Sequence, residues 1–133
     1  MGSSTRTHLI SSEELSLEHI GRVVRNEVRL ELSTSSVAAI EKCRAYLDKK
    51  ISETREPIYG INTGFGSLYN RNIPSGQLGQ LQENLVKSHA CGTGPLAPAE
   101  IVRLMLFLKV QSLAYGHSGV QVQTVQRLMD MYN

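Results

Sequence analysis

The chain has little of what marks the commoner specialised classes. It carries only two cysteines, Cys43 and Cys91, without CxxC spacing. Nothing points to a disulfide framework, and both read as buried or incidental thiols in a reducing compartment. Long apolar runs are missing. The longest, Leu104 to Leu108, is far short of the roughly 20 residues of a membrane span. Met1 to Ile10 lacks the apolar segment of a signal peptide, and Arg6 stands where a myristoylation signal wants Ser or Thr. Neither sign of charge dominates: the formal net charge is +2, and Lys49-Lys50, the only adjacent basic pair, follows Asp48. No nucleic-acid or membrane partner is expected from that balance. The reading is a soluble, cytoplasmic chain.

What is present fits one helical domain. With 133 residues, 41% of them apolar and 20% charged, the chain is long enough for a single core and short for two. Met1 to Thr7 is polar and expected to fray. His8-Leu9-Ile10 fits a short extended piece. Ser16 is placed to cap a helix with apolar Leu17, Ile20 and Val24. Val28 to Leu32 alternates as a half-buried strand does. Ser33 to Ser36 offers caps for a longer helix with a stripe of Ile40, Cys43, Leu47 and Ile51, closed off near Pro57. Leu78, Leu81 and Leu85 recur at helical spacing. Ala99 to Tyr115 is apolar around most of its girth and therefore expects neighbours on several sides, with Gly116 as its C′ residue. Ser118 to Gln121 has capping-box spacing and predicts a further helix carrying Val122, Val125, Leu128, Met129 and Tyr132. The fold class is mainly α with one or two short strands near the N-terminus.

Tyr59-Gly60-Ile61-Asn62-Thr63-Gly64-Phe65-Gly66 is the segment that does not fit a plain helical domain. Glycine loses more backbone freedom on folding than any other residue, so such a loop is costly to order. Phosphate binding fits it poorly: Tyr69 stands where a dinucleotide fingerprint has its third glycine, and the chain has no Gly-Lys-Ser/Thr. The histidines His8, His19, His89 and His117 show no metal-ligand spacing. Ser88 beside His89 invites a nucleophile–base reading, but adjacent helical residues point about 100° apart and are not expected to face each other. A tyrosine on a mobile loop can serve as an acid or base where donors or positive charge surround it. Taken singly, Tyr59 is more often a packing residue and His89 more often a satisfied helix-end histidine.

Together these segments resemble the aromatic amino acid ammonia-lyases, a family that includes histidine, phenylalanine and tyrosine lyases and related aminomutases. The tyrosine loop resembles that family's N-terminal signature. Leu81 to Gly92 and Val102 to Val120 supply two further matches in order. The resemblance implies the N-terminal portion of a long-helix-bundle fold. In that frame residues 1–96 are a mixed region carrying the tyrosine lid loop (55–75), and residues 97–133 begin the central bundle, one incomplete domain overall. It implies a homotetrameric enzyme acting on a small amino acid. Carried over by motif, Tyr59 and His89 are catalytic, and Ser88 and His89 bind substrate. Gly60, Gly64 and Gly66 permit the loop's turns. Phenylalanine enzymes tend to carry Phe-Leu at the positions of Ser88-His89 and tyrosine enzymes His-Leu, so Ser-His resembles histidine ammonia-lyase, whose product is urocanate. A polar pair suits an imidazole because an unpaired buried polar group is costly.

The family's electrophile, 4-methylideneimidazole-5-one, forms from an internal Ala-Ser-Gly, and no such tripeptide occurs here. The chain thus reads as the N-terminal portion of a longer enzyme, inactive alone and prone to self-association. Two alternatives stay open: a tyrosine or phenylalanine lyase or aminomutase as the parent, and a non-catalytic helical interaction module.

Overall fold

A computed structural model describes residues 6–25, 28–54 and 56–133. Residues 1–5, most of the segment expected to fray, lie outside that description. The chain divides into two compact units, one of residues 1–52 with 96–133 and one of residues 53–95.

The larger unit opens with β1 (Thr7–Ile10), α1 (Leu17–Arg25) and β2 (Arg29–Leu32). The strands pair in parallel, from Thr7 opposite Arg29 to Ile10 opposite Leu32. Parallel neighbours need a crossover, and α1 supplies it. Arg6 belongs to this structure rather than to a frayed end: its carbonyl accepts the Arg29 N–H at 3.0 Å. Ser16 caps α1 as expected, its Oγ accepting the His19 N–H at 3.1 Å. Arg22 and Arg25 in the last turn suit the helix dipole.

Ser33 then caps α2 (Thr34–Glu53), with its Oγ accepting the Ser36 N–H at 3.1 Å. Ser36 Oγ donates to the Ile10 carbonyl at 3.2 Å, which ties the end of β1 to this helix. Of the predicted α2 stripe, Ile40 is fully buried, while Cys43, Leu47 and Ile51 are only half-buried.

α4 (Ala99–Ala114) and α5 (Val122–Tyr132) complete this unit. Phe107, Val110, Val125 and Met129 join Ile10, Leu30 and Ile40 in one core. Gly116 follows α4 with φ +71°, and a Cβ there would lie 2.6 Å from the Ala39 carbonyl carbon and oxygen. Only glycine allows both that conformation and that approach of α2. The capping-box reading of Ser118 fails. α5 starts at Val122 with Gln121 as N-cap and no side-chain cap, because positive φ at Gly116 and Gly119 keeps the preceding residues in turns. At the far end of α5, Asn133 Oδ1 accepts the Leu30 N–H at 2.8 Å and its Nδ2 donates to the Leu30 carbonyl at 3.1 Å. The amide thus satisfies backbone groups of β2 that would otherwise present an open edge.

Between β1, α1 and α4 sits a histidine pair. His8 Nδ1 and His19 Nε2 lie 3.1 Å apart, and the His8 and Phe107 rings stand perpendicular with centroids at 5.4 Å. Burial lowers the His8 pKa from its ordinary 6.5, and His19 adds to the effect.

The smaller unit holds the tyrosine loop, two short 3-10 turns (Gly66–Leu68 and Ser75–Gln77) and α3 (Leu78–His89). α3 buries no residue fully, and Leu78, Leu81 and Leu85 form a half-buried stripe. Among the described residues no helix is long and apolar enough to cross a membrane.

Candidate active site

Tyr59 is the second residue of a tight turn. The Ile61 N–H donates to the Ile58 carbonyl at 3.0 Å, and Gly60, the third residue, has φ +75°. A type II turn requires that sign at that position, and glycine supplies it. A side chain at such a corner projects outward, and Tyr59 is 64% exposed. Its ring meets Phe65 edge-on, with centroids 6.2 Å apart.

Beneath the turn the loop is held by its own polar side chains. Asn62 is 7% exposed and Thr63 fully buried. Asn62 Oδ1 accepts the Ile58 N–H at 2.6 Å, and its Nδ2 donates to the Glu56 carbonyl at 3.1 Å. Thr63 Oγ1 donates to the Gly64 carbonyl at 2.9 Å and accepts the Gly60 N–H at 3.4 Å. The two arms of the loop pair through a Thr63–Asn72 bridge, with Ile73 N–H donating to the Asn62 carbonyl at 2.8 Å. Sequence reasoning singled out the glycines and missed Asn62 and Thr63. The available signal was their type, since Asn and Thr are the side chains that substitute for backbone partners in turns.

Ser88 and His89 end α3, and here the structure corrects the expectation that they do not face each other. Ser88 Oγ and His89 Nδ1 are 2.9 Å apart. Both turn back onto one carbonyl of the last turn: Ser88 Oγ donates to the Leu85 carbonyl at 2.9 Å, and His89 Nδ1 lies 3.0 Å from the same oxygen. A carbonyl only accepts, and the hydroxyl proton is already given to it. Nδ1 therefore carries the ring proton, and Nε2 is left as the acceptor of the neutral ring. Both residues are exposed. Ser88 and His89 are brought together; Tyr59 has its ring contact with Phe65, and no hydrogen bond or ring contact among the described residues joins it to the pair. Cys43 is half-buried and Cys91 exposed. Among the described residues no group of three His, Cys, Asp or Glu is arranged to hold a metal.

A sequence profile for aromatic amino acid lyase matches residues 15–133, which takes in the loop and the Ser-His pair. The chain belongs to the aromatic amino acid lyase family. Histidine ammonia-lyase from Deinococcus radiodurans is 46% identical over 125 residues, covering 94% of this chain and 24% of that protein. The solved histidine ammonia-lyase from Trypanosoma cruzi superposes with a TM-score of 0.79 at 35% identity, over 96% of this chain and 24% of that one. A tyrosine aminomutase from Streptomyces globisporus gives 0.83 at 31% identity, over 94% and 24%. The chain thus spans about a quarter of the length of these lyase-family relatives, and its fold, helical with two short parallel strands, is that of the family.

Proposed function

We propose that this chain is the amino-terminal part of a histidine ammonia-lyase, a cytoplasmic homotetramer that eliminates ammonia from L-histidine to give urocanate. The Ser88-His89 pair carries the substrate assignment. With Nδ1 committed to Leu85 and Ser88, Nε2 offers a fixed acceptor to an imidazole N–H. Where the complete enzyme shuts water out, a phenyl ring would leave that acceptor unpaired, and that penalty discriminates between substrates. The relatives named histidine ammonia-lyase support the same choice.

In this reading Tyr59 takes a β-proton from the substrate. The Cβ–H electrons form the Cα–Cβ double bond as the Cα–N bond breaks and ammonia departs. The family's electrophile, 4-methylideneimidazole-5-one, would supply the activation that makes the amino group a better leaving group. The Ala-Ser-Gly from which that group forms does not occur in this chain, and the residues described here are assigned to substrate and proton handling. The corner position of Tyr59 and the glycine beside it allow the phenol to approach a ligand closely on closure.

A second reading, a tyrosine-specific aminomutase or lyase, has the likeness to tyrosine aminomutase in its favour. Side-by-side turnover of L-histidine, L-tyrosine and L-phenylalanine by the complete enzyme carrying this segment decides between them. Urocanate as the dominant product is expected. Preference for tyrosine or phenylalanine would overturn the substrate assignment.

A further inference from the structure

Asn62 uses every polar group it has within the tyrosine loop. Its side chain accepts from Ile58 N–H at 2.6 Å and donates to the Glu56 carbonyl at 3.1 Å. Its backbone N–H donates to the Ile58 carbonyl at 3.2 Å, and its carbonyl accepts from Ile73 N–H at 2.8 Å. The residue before Tyr59 is thereby held through both its N–H and its carbonyl, and the arm leaving the loop is joined to the same node. Gly60, the residue after Tyr59, is tied by its N–H to Thr63 Oγ1. The phenol is exposed while its tether is buried. The direction of Tyr59 is consequently set from below, by a buried side chain.

We infer that Asn62 is a positioning residue for Tyr59: its amide closes the loop around Ile58 and fixes the direction in which the phenol is presented to substrate. The inference rests on the assignment of Tyr59 as the base. The chemistry is particular to asparagine. An acceptor and a donor must sit on one short planar group, the acceptor facing an N–H and the donor a carbonyl. Aspartate keeps the first bond and sets a carboxylate oxygen against the Glu56 carbonyl. Alanine loses both and leaves the half-buried Ile58 N–H and the Glu56 carbonyl without these partners. Glutamine carries the right group one methylene too far out.

Two measurements test this. In the complete enzyme, Asn62→Ala is expected to lower kcat by about 10- to 100-fold, with KM changed by less than about threefold, as misplacement of a reacting group does. Asn62→Asp should fall between alanine and the native residue. In the 133-residue chain, NMR should show the Tyr59–Phe65 ring contact in the native protein and its weakening in both variants. The methyl resonances of the larger unit should stay in place. An alanine enzyme with native kcat, or one whose loss lies wholly in KM, would overturn the inference. So would an unchanged Tyr59–Phe65 contact. Should Asn62→Ala fail to fold, the aspartate variant and the native protein carry the test: an Ile58 amide that exchanges as freely as an open-turn amide in the native chain refutes the clamp. If the native complete enzyme releases no ammonia from any of the three amino acids, the lyase reading fails, while the NMR result still decides whether Asn62 holds Tyr59.

Discussion

Ser88 and His89 show what two side chains can do at a helix end that they cannot do in its middle. Both fold back onto the Leu85 carbonyl, and the result is one polar unit with Nε2 outward. Replacing Ser88 by alanine should therefore leave the fold intact and raise KM for L-histidine several-fold in the complete enzyme, with kcat the less affected; steady-state kinetics checks this. His8 makes a different prediction. Its folded-state pKa lies below the ordinary 6.5 through burial and the neighbouring His19. The unfolded chain then binds more protons in that window, so the contribution of His8 to stability is complete above about pH 6.5 and is lost as the pH falls below it. Glu13, Glu14 and Arg22 line the cleft beside the pair. Urea midpoints should fall from about pH 7.5 to about pH 5.5, and His8→Gln should flatten that slope. The sequence offered no sign of this pair, since His8 and His19 meet only because β1 and α1 are folded together.

The elements whose ends are marked by local chemistry were legible. Ser16 and Ser33 cap as their positions indicate, and Gly116 ends α4 as a C′ residue. Ser118 was misleading: capping-box spacing fixes which residue types can meet, and the turn geometry imposed by Gly116 and Gly119 kept them from doing so. Ser33→Ala should cost about 1 kcal/mol, and Ser118→Ala far less, by denaturant unfolding. Gly116→Ala should cost about 2 kcal/mol or more, since it meets both a positive φ and the Ala39 backbone. The strand periods were also readable. Their parallel pairing was not, because register depends on the crossover and on Ile10 and Leu30 reaching a core built largely from α4 and α5.

At the scale of the whole molecule, α4 divides its apolar girth unequally. Phe107 and Val110 are fully buried, whereas Ile101, Val102, Met105 and Leu108 are 42% to 64% exposed. The expectation of neighbours on several sides came from composition alone, and among the described residues these four side chains are left open. The isolated chain should self-associate through that face, with a concentration-dependent mass in light scattering; a strict monomer would contradict it. The tyrosine loop was the most legible part of the site as a motif and the least legible as a structure. Its glycines explained why it can turn; Asn62 and Thr63, buried beneath the turn, explain why it turns in one way. The proposed elimination depends on Tyr59 as the group that moves the proton. Urocanate release from L-histidine by the complete enzyme should drop by about 100-fold or more in Tyr59→Phe, with the fold unchanged. A phenylalanine variant that turns over histidine within a few-fold of the native rate would contradict it.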